Sequence, residues 1–269
     1  MKSANHQRLL ILRSTGLALL MALVGVRAAP AAERYVSLNN PDALPPYTDW
    51  STAAAHIQDA INDAENGDLI WVGPGTYTVP TNALTYDSVT NVVDLRKAVT
   101  VRSVEGPDNT RIDGQDLYRG MFVYPPAGTQ AVVVGFTIHN GRADWGAGHG
   151  GGIYLYREST RTSVVENCVI ELNRAASSGG GVMAFNQGNR GGGVYVGGAQ
   201  MTVRNSLVHN NTASGTGYGG GICTRGGQIL LQNSTFADNY GQAIYDYDNN
   251  ARITGINTIL YNDSISGSP

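Results

Sequence analysis

The chain has 269 residues, 35 of them glycine and only 14% charged, with a formal net charge of −3. That length suits one sizeable domain, the sparse charge argues against a disordered chain, and the lack of a three-residue glycine period excludes a collagen-type fibre.

In chain order, Lys2, Arg8 and Arg13 precede an apolar run over residues 16–26 and the small-residue site Ala29-Pro30-Ala31. Residues 1–31 therefore read as a secretory signal peptide. No later stretch approaches the roughly 20 apolar residues of a membrane-spanning helix, so no direct membrane insertion is expected. Removing the signal takes away Lys2, Arg8, Arg13 and Arg27, which leaves 14 basic against 21 acidic residues, a net −7. That balance disfavours nucleic acid as a partner, and the expected location is secreted, extracellular or at the outer cell surface.

Residues 32–67 read as an N-terminal strand, near 35–38, and a capping helix. Ile57, Ala60, Ile61 and Ala64 follow helical spacing, Asp49 or Ser51 is placed to cap the start, and Gly67 to end it. The apolar stripe of this helix is expected to cover the open end of the neighbouring β region.

That region, residues 68–263, is a run of short β-type segments with no helical period between them: 68–72, 92–95, 99–104, 111–113, 121–124 and 132–138, then several more. Strands joined only by Gly, Asn, Asp and Pro turns have no crossover helices. They suit a solenoid whose coils pair in parallel, each advancing about 4.8 Å. The clearest unit is 201–240, where Val203, Asn205 and Val208 recur as Leu231, Asn233 and Phe236 across Gly219-Gly220-Gly221. The reading is all-β, a parallel β-helix of six or seven coils, with 264–269 as a short tail.

Asn167, Asn205, Asn233 and Asn257 hold equivalent positions, each followed six residues on by Asn173, Asn211, Asn239 or Asp263. Asparagine tolerates a left-handed turn, and stacked amides can bond from coil to coil. The glycosylation patterns at Asn210 and Asn233 compete with that structural reading. The glycine triplets at 150–152, 179–181, 191–193 and 219–221 open strands, and no helix comes after them to cradle phosphate. The second and third are only twelve residues apart, which implies an inserted loop around 186–190. Cys168 and Cys223 fall on different faces of the repeat and read as unbridged buried residues.

The helix followed by Asn66-Gly67-Asp68-Leu69-Ile70-Trp71-Val72-Gly73-Pro74-Gly75-Thr76-Tyr77 resembles the N-terminal cap and first coil of the pectin-lyase-like superfamily. Gly135-Phe136-Thr137-Ile138, the Gly-Gly-Gly-Ile/Val runs and Phe236-Ala237-Asp238-Asn239 resemble its secreted bacterial repeat proteins, such as polymorphic outer membrane proteins, with glycine where their first motif has alanine. The resemblance implies a right-handed parallel β-helix. It covers lyases, hydrolases and non-enzymatic adhesins alike, so activity has to be argued from sites.

A pectate-lyase-like site needs stacked carboxylates for Ca2+ and a basic arginine. Asp94, Asp113, Asp116, Asp246 and Asp248, with Arg102, Arg111, Arg142 and Arg174, supply no motif of that kind, and Asp113 reads as a turn residue. Gly148-His149-Gly150 and Arg252-Ile253-Thr254 resemble the polygalacturonase GHG and RIK motifs, but the paired upstream aspartates are missing. No catalytic or metal-ligating residue is therefore assigned and no cofactor is expected, Ca2+ entering only if the chain is a lyase.

If Ile153, Val182, Val194, Ile222 and Ile244 point inward, alternation sends Tyr154, Tyr156, Tyr195, Tyr245 and Tyr247 outward, with Phe185 beside them. Such rings are either a platform for sugars or a stack that stabilises the sheet, and both readings stand. The expectation is a secreted or cell-surface module, non-catalytic, engaging extracellular or cell-wall polysaccharide through those tyrosines. The alternatives are a lyase or hydrolase acting on uronate-rich polymer and a structural adhesin stalk. Ile253, Ile256 and Leu260 lie in the last coil, where an uncovered strand edge would favour end-to-end self-association.

Overall fold

In the computed structural model the residues described are 30–86, 88–144, 150–156, 161–175, 182–185, 200–213, 220–224, 227–240, 243–246, 250–261 and 265–266, of which 182–185 and 265–266 are described by backbone alone. Residues 1–29 of the expected signal peptide, His149, Tyr195, Tyr247 and the expected insertion at 186–190 lie outside them.

Among the described residues, three long sheets of mainly parallel strands lie between Glu33 and Ser266, with a fourth, three-stranded sheet of two-residue strands beside them. The first contains Glu33–Val36, Leu69–Val72, Thr100–Ser103, Gln130–Val134, Thr162–Glu166, Gln200–Arg204, Gln228–Gln232 and Arg252–Ile256. The second contains Gly75–Tyr77, Thr110–Asp113, Thr137–His139, Val169–Glu171, Leu207–His209, Thr235–Ala237 and Ile259–Tyr261. The third contains Val89–Leu95, Arg119–Val123, Ile153–Tyr156, Val182–Phe185, Ile222–Thr224, Ile244–Asp246 and Ile265–Ser266. Each turn of the chain visits the sheets in that order, which makes seven coils among the described residues, the upper end of the expected number.

Alternation within each strand builds the interior. In the first sheet Ile70, Val101, Val133, Val165, Val203 and Leu231 stack in register and are all buried. Ile138, Ile170, Val208 and Phe236 do the same from the second sheet, and Phe136 is buried at the corner before it. Residues 132–138, expected as one strand, are two, because the chain bends at Gly135 with φ +80°. At the equivalent corner of later coils Asn167, Asn205, Asn233 and Asn257 take φ of 51°, 50°, 49° and 48°, the left-handed turn that asparagine tolerates.

Two amide ladders result. Asn257 Nδ2 donates to Asn233 Oδ1 (3.1 Å) and Asn233 Nδ2 to Asn205 Oδ1 (3.2 Å), at the surface. Asn173 Nδ2 donates to Asn211 Oδ1 (3.1 Å) and Asn211 Nδ2 to Asn239 Oδ1 (3.0 Å), in the interior. Gly141 begins the buried ladder: its N–H reaches Asn173 Oδ1 at 2.7 Å, and a Cβ there would sit 2.1 Å from the Gly151 carbonyl oxygen. Both cysteines are buried and neither forms a disulfide, as the repeat implied.

The capping helix is shorter than expected, Ile57–Asp63. Asp49 instead caps a 3-10 turn, Trp50–Thr52, accepting from Ser51 N–H at 2.8 Å, and the α-helix starts at His56 without a side-chain cap. It ends at Ala64, and Gly67 (φ +100°) redirects the chain afterwards. Two turns of helix persist because Ile57, Ala60, Ile61 and Ala64 are buried against Val36, Ile70, Val72, Val92 and Val93, so packing replaces caps. Gln58 adds a second function. Its amide accepts from Asp94 N–H (2.7 Å) and donates to Asp94 C=O (3.1 Å), standing in for the peptide group of a missing strand. The helix thus covers both the apolar opening and the free backbone of the first coil, and no helix among the described residues is long and apolar enough to cross a membrane.

Candidate functional site: an aromatic face on the third sheet

Just before the third sheet, Thr85–Tyr86 pairs antiparallel with Val89–Thr90. This hairpin was not expected, and it decides which outward side chains meet solvent. Tyr86 leans across the edge strand to stack on Phe122, with centroids 4.3 Å apart and planes 20° apart, and lies 5.9 Å from Tyr154. From the other side the fully buried Arg119 places its guanidinium 4.8 Å above the Tyr154 ring, while its Nε donates to Gly150 C=O (2.9 Å) and its Nη1 to Asn91 Oδ1 (2.8 Å).

Tyr154 is consequently only 1% exposed. The expectation that it offers its ring to a ligand is corrected: the side chain points out of the coil, as alternation required, and is then covered. Tyr156 is half-buried and takes part in the surface. Tyr245, also half-buried, is in register with Cys223, several coils beyond Tyr154, so it is not part of the same cluster.

Three half-buried rings form the exposed layer. Tyr156 lies 5.0 Å from Tyr86 and 5.3 Å from Tyr124. Arginines hold them. Arg161, 6% exposed, stands 3.9 Å over Tyr124, its Nη2 donating to the Tyr124 hydroxyl (3.0 Å) and its Nη1 to Pro125 C=O (2.6 Å). Arg96 lies 5.2 Å over Phe122 and donates through Nε and Nη2 to the two oxygens of buried Asp94 at 2.7 and 3.0 Å. The hydrogen bond with Asp94 raises the Arg96 pKa above its ordinary value.

A second cluster sits on short strands between the second and third sheets. Arg142 and Arg174 are in register on adjacent coils and share two carboxylates. Arg142 pairs with Asp144 through Nε and with Asp116 at 3.5 Å, and Arg174 lies 3.3 Å from Asp144 and 3.8 Å from Asp116. The sequence reading found no set among these residues; the fold gathers them, with Asp144 added, into a ring whose charges cancel. Asp113 keeps its turn role, its Oδ1 accepting from Gln115 N–H (2.8 Å) and Asn140 Nδ2 (3.2 Å). Among the described residues no three His, Cys, Asp or Glu side chains are placed to hold a metal ion.

The family described as right-handed β-helix region matches residues 127–268, more than half of the chain. The chain belongs to that family. Among solved structures, pectate lyase Pel9A is similar at 12% identity, covering 89% of this chain and 78% of that one, with a TM-score of 0.40. The pectin methylesterase of Aspergillus niger, in deglycosylated form, is similar at 14% identity over 90% of this chain and 88% of that one, with a TM-score of 0.35. No curated protein matches.

Within this right-handed β-helix, the sequence reading missed Phe122 and Tyr124. Their signal was present, because Gly120-Met121-Phe122-Val123-Tyr124 repeats the alternation of Gly152-Ile153-Tyr154-Leu155-Tyr156 one coil earlier. Tyr86, Arg96 and Arg161 carry no comparable signal, since their places depend on contacts outside the repeat.

Proposed function

We propose that this β-helix is an extracellular or cell-surface module that binds polysaccharide, without cleaving it, on the aromatic face of the third sheet. The observation that carries the reading is the trio Tyr86, Tyr124 and Tyr156, half-exposed at 5.0 and 5.3 Å spacing and braced by arginines. A pyranose ring offers an apolar face of aliphatic C–H groups that packs on such rings, and rings already fixed lose little entropy on binding. Arg96, 46% exposed at its side chain, adds donors at the rim for hydroxyl or carboxylate oxygens. The non-catalytic part rests on charge pairing: the Asp94 carboxylate is bonded by Arg96, and Asp116 and Asp144 are shared between two arginines.

The test is a glycan array of cell-wall polysaccharides with and without calcium, followed by ultraviolet absorbance of any unsaturated product. Binding indifferent to calcium, with no absorbance, is the expected result. Tyr86→Ala and Tyr156→Ala should each weaken it about fivefold, the equivalent of about 1 kcal/mol per ring. Unsaturated uronides that vanish on chelation would overturn the non-catalytic reading, and full binding by both variants would move the platform elsewhere. Asp116, 65% exposed at its side chain within the arginine ring, is the observation that favours the lyase or hydrolase alternative, and Asp116→Asn would abolish any such activity.

A further inference from the structure

The outward face of the first sheet carries a different surface, one that the aromatic reading does not use. Gln130, Thr162, Gln200, Gln228 and Arg252 stand in register on five successive coils. They line one side of an open groove of about 350 Å³ whose floor includes Thr202 and Leu230, both half-buried. The column runs along the axis of the solenoid, so it presents one polar group per coil at the strand spacing of about 4.8 Å.

The state of the amides separates this column from the asparagine ladders. Asn173, Asn211 and Asn239 are buried and bond one another from coil to coil, and Asn205, Asn233 and Asn257 do the same at the surface. The amides of Gln130, Gln200 and Gln228 are exposed at the same coil spacing, and among the described residues their side chains bond to no protein group. Each offers two donors and an acceptor outward. Apart from Arg252 the described residues of the groove walls carry no charge, and toward the N-terminal end the same sheet face bears Trp71, with Arg102 lying 6.0 Å over its ring.

We infer that this face is a second carbohydrate site, for a neutral, extended polysaccharide laid along the solenoid axis. A neutral polymer fits because amides and a threonine hydroxyl match hydroxyl pairs as both donor and acceptor, whereas an acidic polymer would meet a cation among the described groove residues only at Arg252, at one end of the column, the nearby Arg204 being paired with Glu166, and would leave its other carboxylates against uncharged side chains. An extended one fits because its rings recur at close to the coil spacing, so successive sugars meet equivalent side chains. Half-buried Leu230 and Val164 give the apolar ring faces something to pack on. This inference is independent of the third-sheet reading.

The experiment is native affinity electrophoresis of the full chain in gels containing hydroxyethylcellulose or glucomannan. The parent protein should be retarded in at least one. A Gln130→Ala, Gln200→Ala, Gln228→Ala triple variant should lose at least about tenfold in affinity while its thermal unfolding, followed by circular dichroism, stays unchanged, because all three side chains are exposed. Tyr86→Ala and Tyr156→Ala report the other face, and retardation by the neutral polymer should persist in them. No retardation of the parent in either gel overturns the inference. So does undiminished binding by the glutamine variant, or loss of neutral-polymer binding in the tyrosine variants.

Discussion

Replacing Asn211 with alanine tests the buried ladder most directly. Asn211 is fully buried, its Nδ2 donating to Ile170 C=O (2.9 Å) and Asn239 Oδ1 (3.0 Å), and its Oδ1 accepting from Asn173 N–H (3.2 Å) and Asn173 Nδ2 (3.1 Å). Alanine removes all four and leaves the Asn173 main-chain N–H without that acceptor in a site closed to water. An orphaned buried donor costs about 1–3 kcal/mol and each of the three further bonds about 0.5–1.5, so the expected loss is roughly 5 kcal/mol. The comparison is Asn233→Gly, in the surface ladder, where glycine accepts the φ of 49° and only two exposed amide bonds are lost. That change should cost about 1 kcal/mol. Urea unfolding of residues 32–269, followed by circular dichroism, measures both as midpoint shifts at constant slope. If Asn211→Ala costs no more than Asn233→Gly, burial is not what gives the ladder its strength, and the desolvation argument fails.

Alkaline stability and the state of the last coil are open to test in the same way. Tyr77 is 2% exposed and its hydroxyl donates to Gly73 C=O at 2.9 Å, and burial pushes its pKa from 10.0 up to about 12. The folded chain keeps a proton that the unfolded chain releases, so this contribution to stability is complete below pH 10 and is lost as pH rises from 10 to 12. Tyr77→Phe should flatten that decline in alkaline unfolding curves, and an unchanged slope would refute the assignment. At the last coil, Leu231, Ile244, Ile253 and Leu260 line an open apolar cavity of about 770 Å³, with Ile256, Ile259 and Tyr261 exposed at 45%, 59% and 60%. Residues 32–269 on their own should therefore self-associate with rising concentration, and light scattering that shows a monodisperse monomer at high concentration would count against it.

The repeat was legible because its causes are local. Val203, Asn205 and Val208 alternate inward, turn and inward within one strand and corner, and each later copy obeys the same sterics, so coil path, asparagine turns and inward columns could be read before any fold was known. The capping helix was legible as a stripe but not in its limits. Tertiary packing of Ile57, Ala60 and Ile61, rather than Asp49 or Ser51, sets where it begins.

By itself the sequence determined the direction each side chain points, since a strand has period two and any register that buries Ile153 turns Tyr154 outward. Whether an outward side chain then meets water was decided only in three dimensions. Tyr86 arrives on a hairpin and Arg119 from the preceding coil, and together they bury Tyr154 while leaving Tyr156 at the surface. Asp116 and Asp144, 28 positions apart in the chain, become partners only because coils stack and bring Arg142 and Arg174 into register between them. Alternation is a property of one strand, whereas exposure and charge pairing depend on what distant segments lay across it.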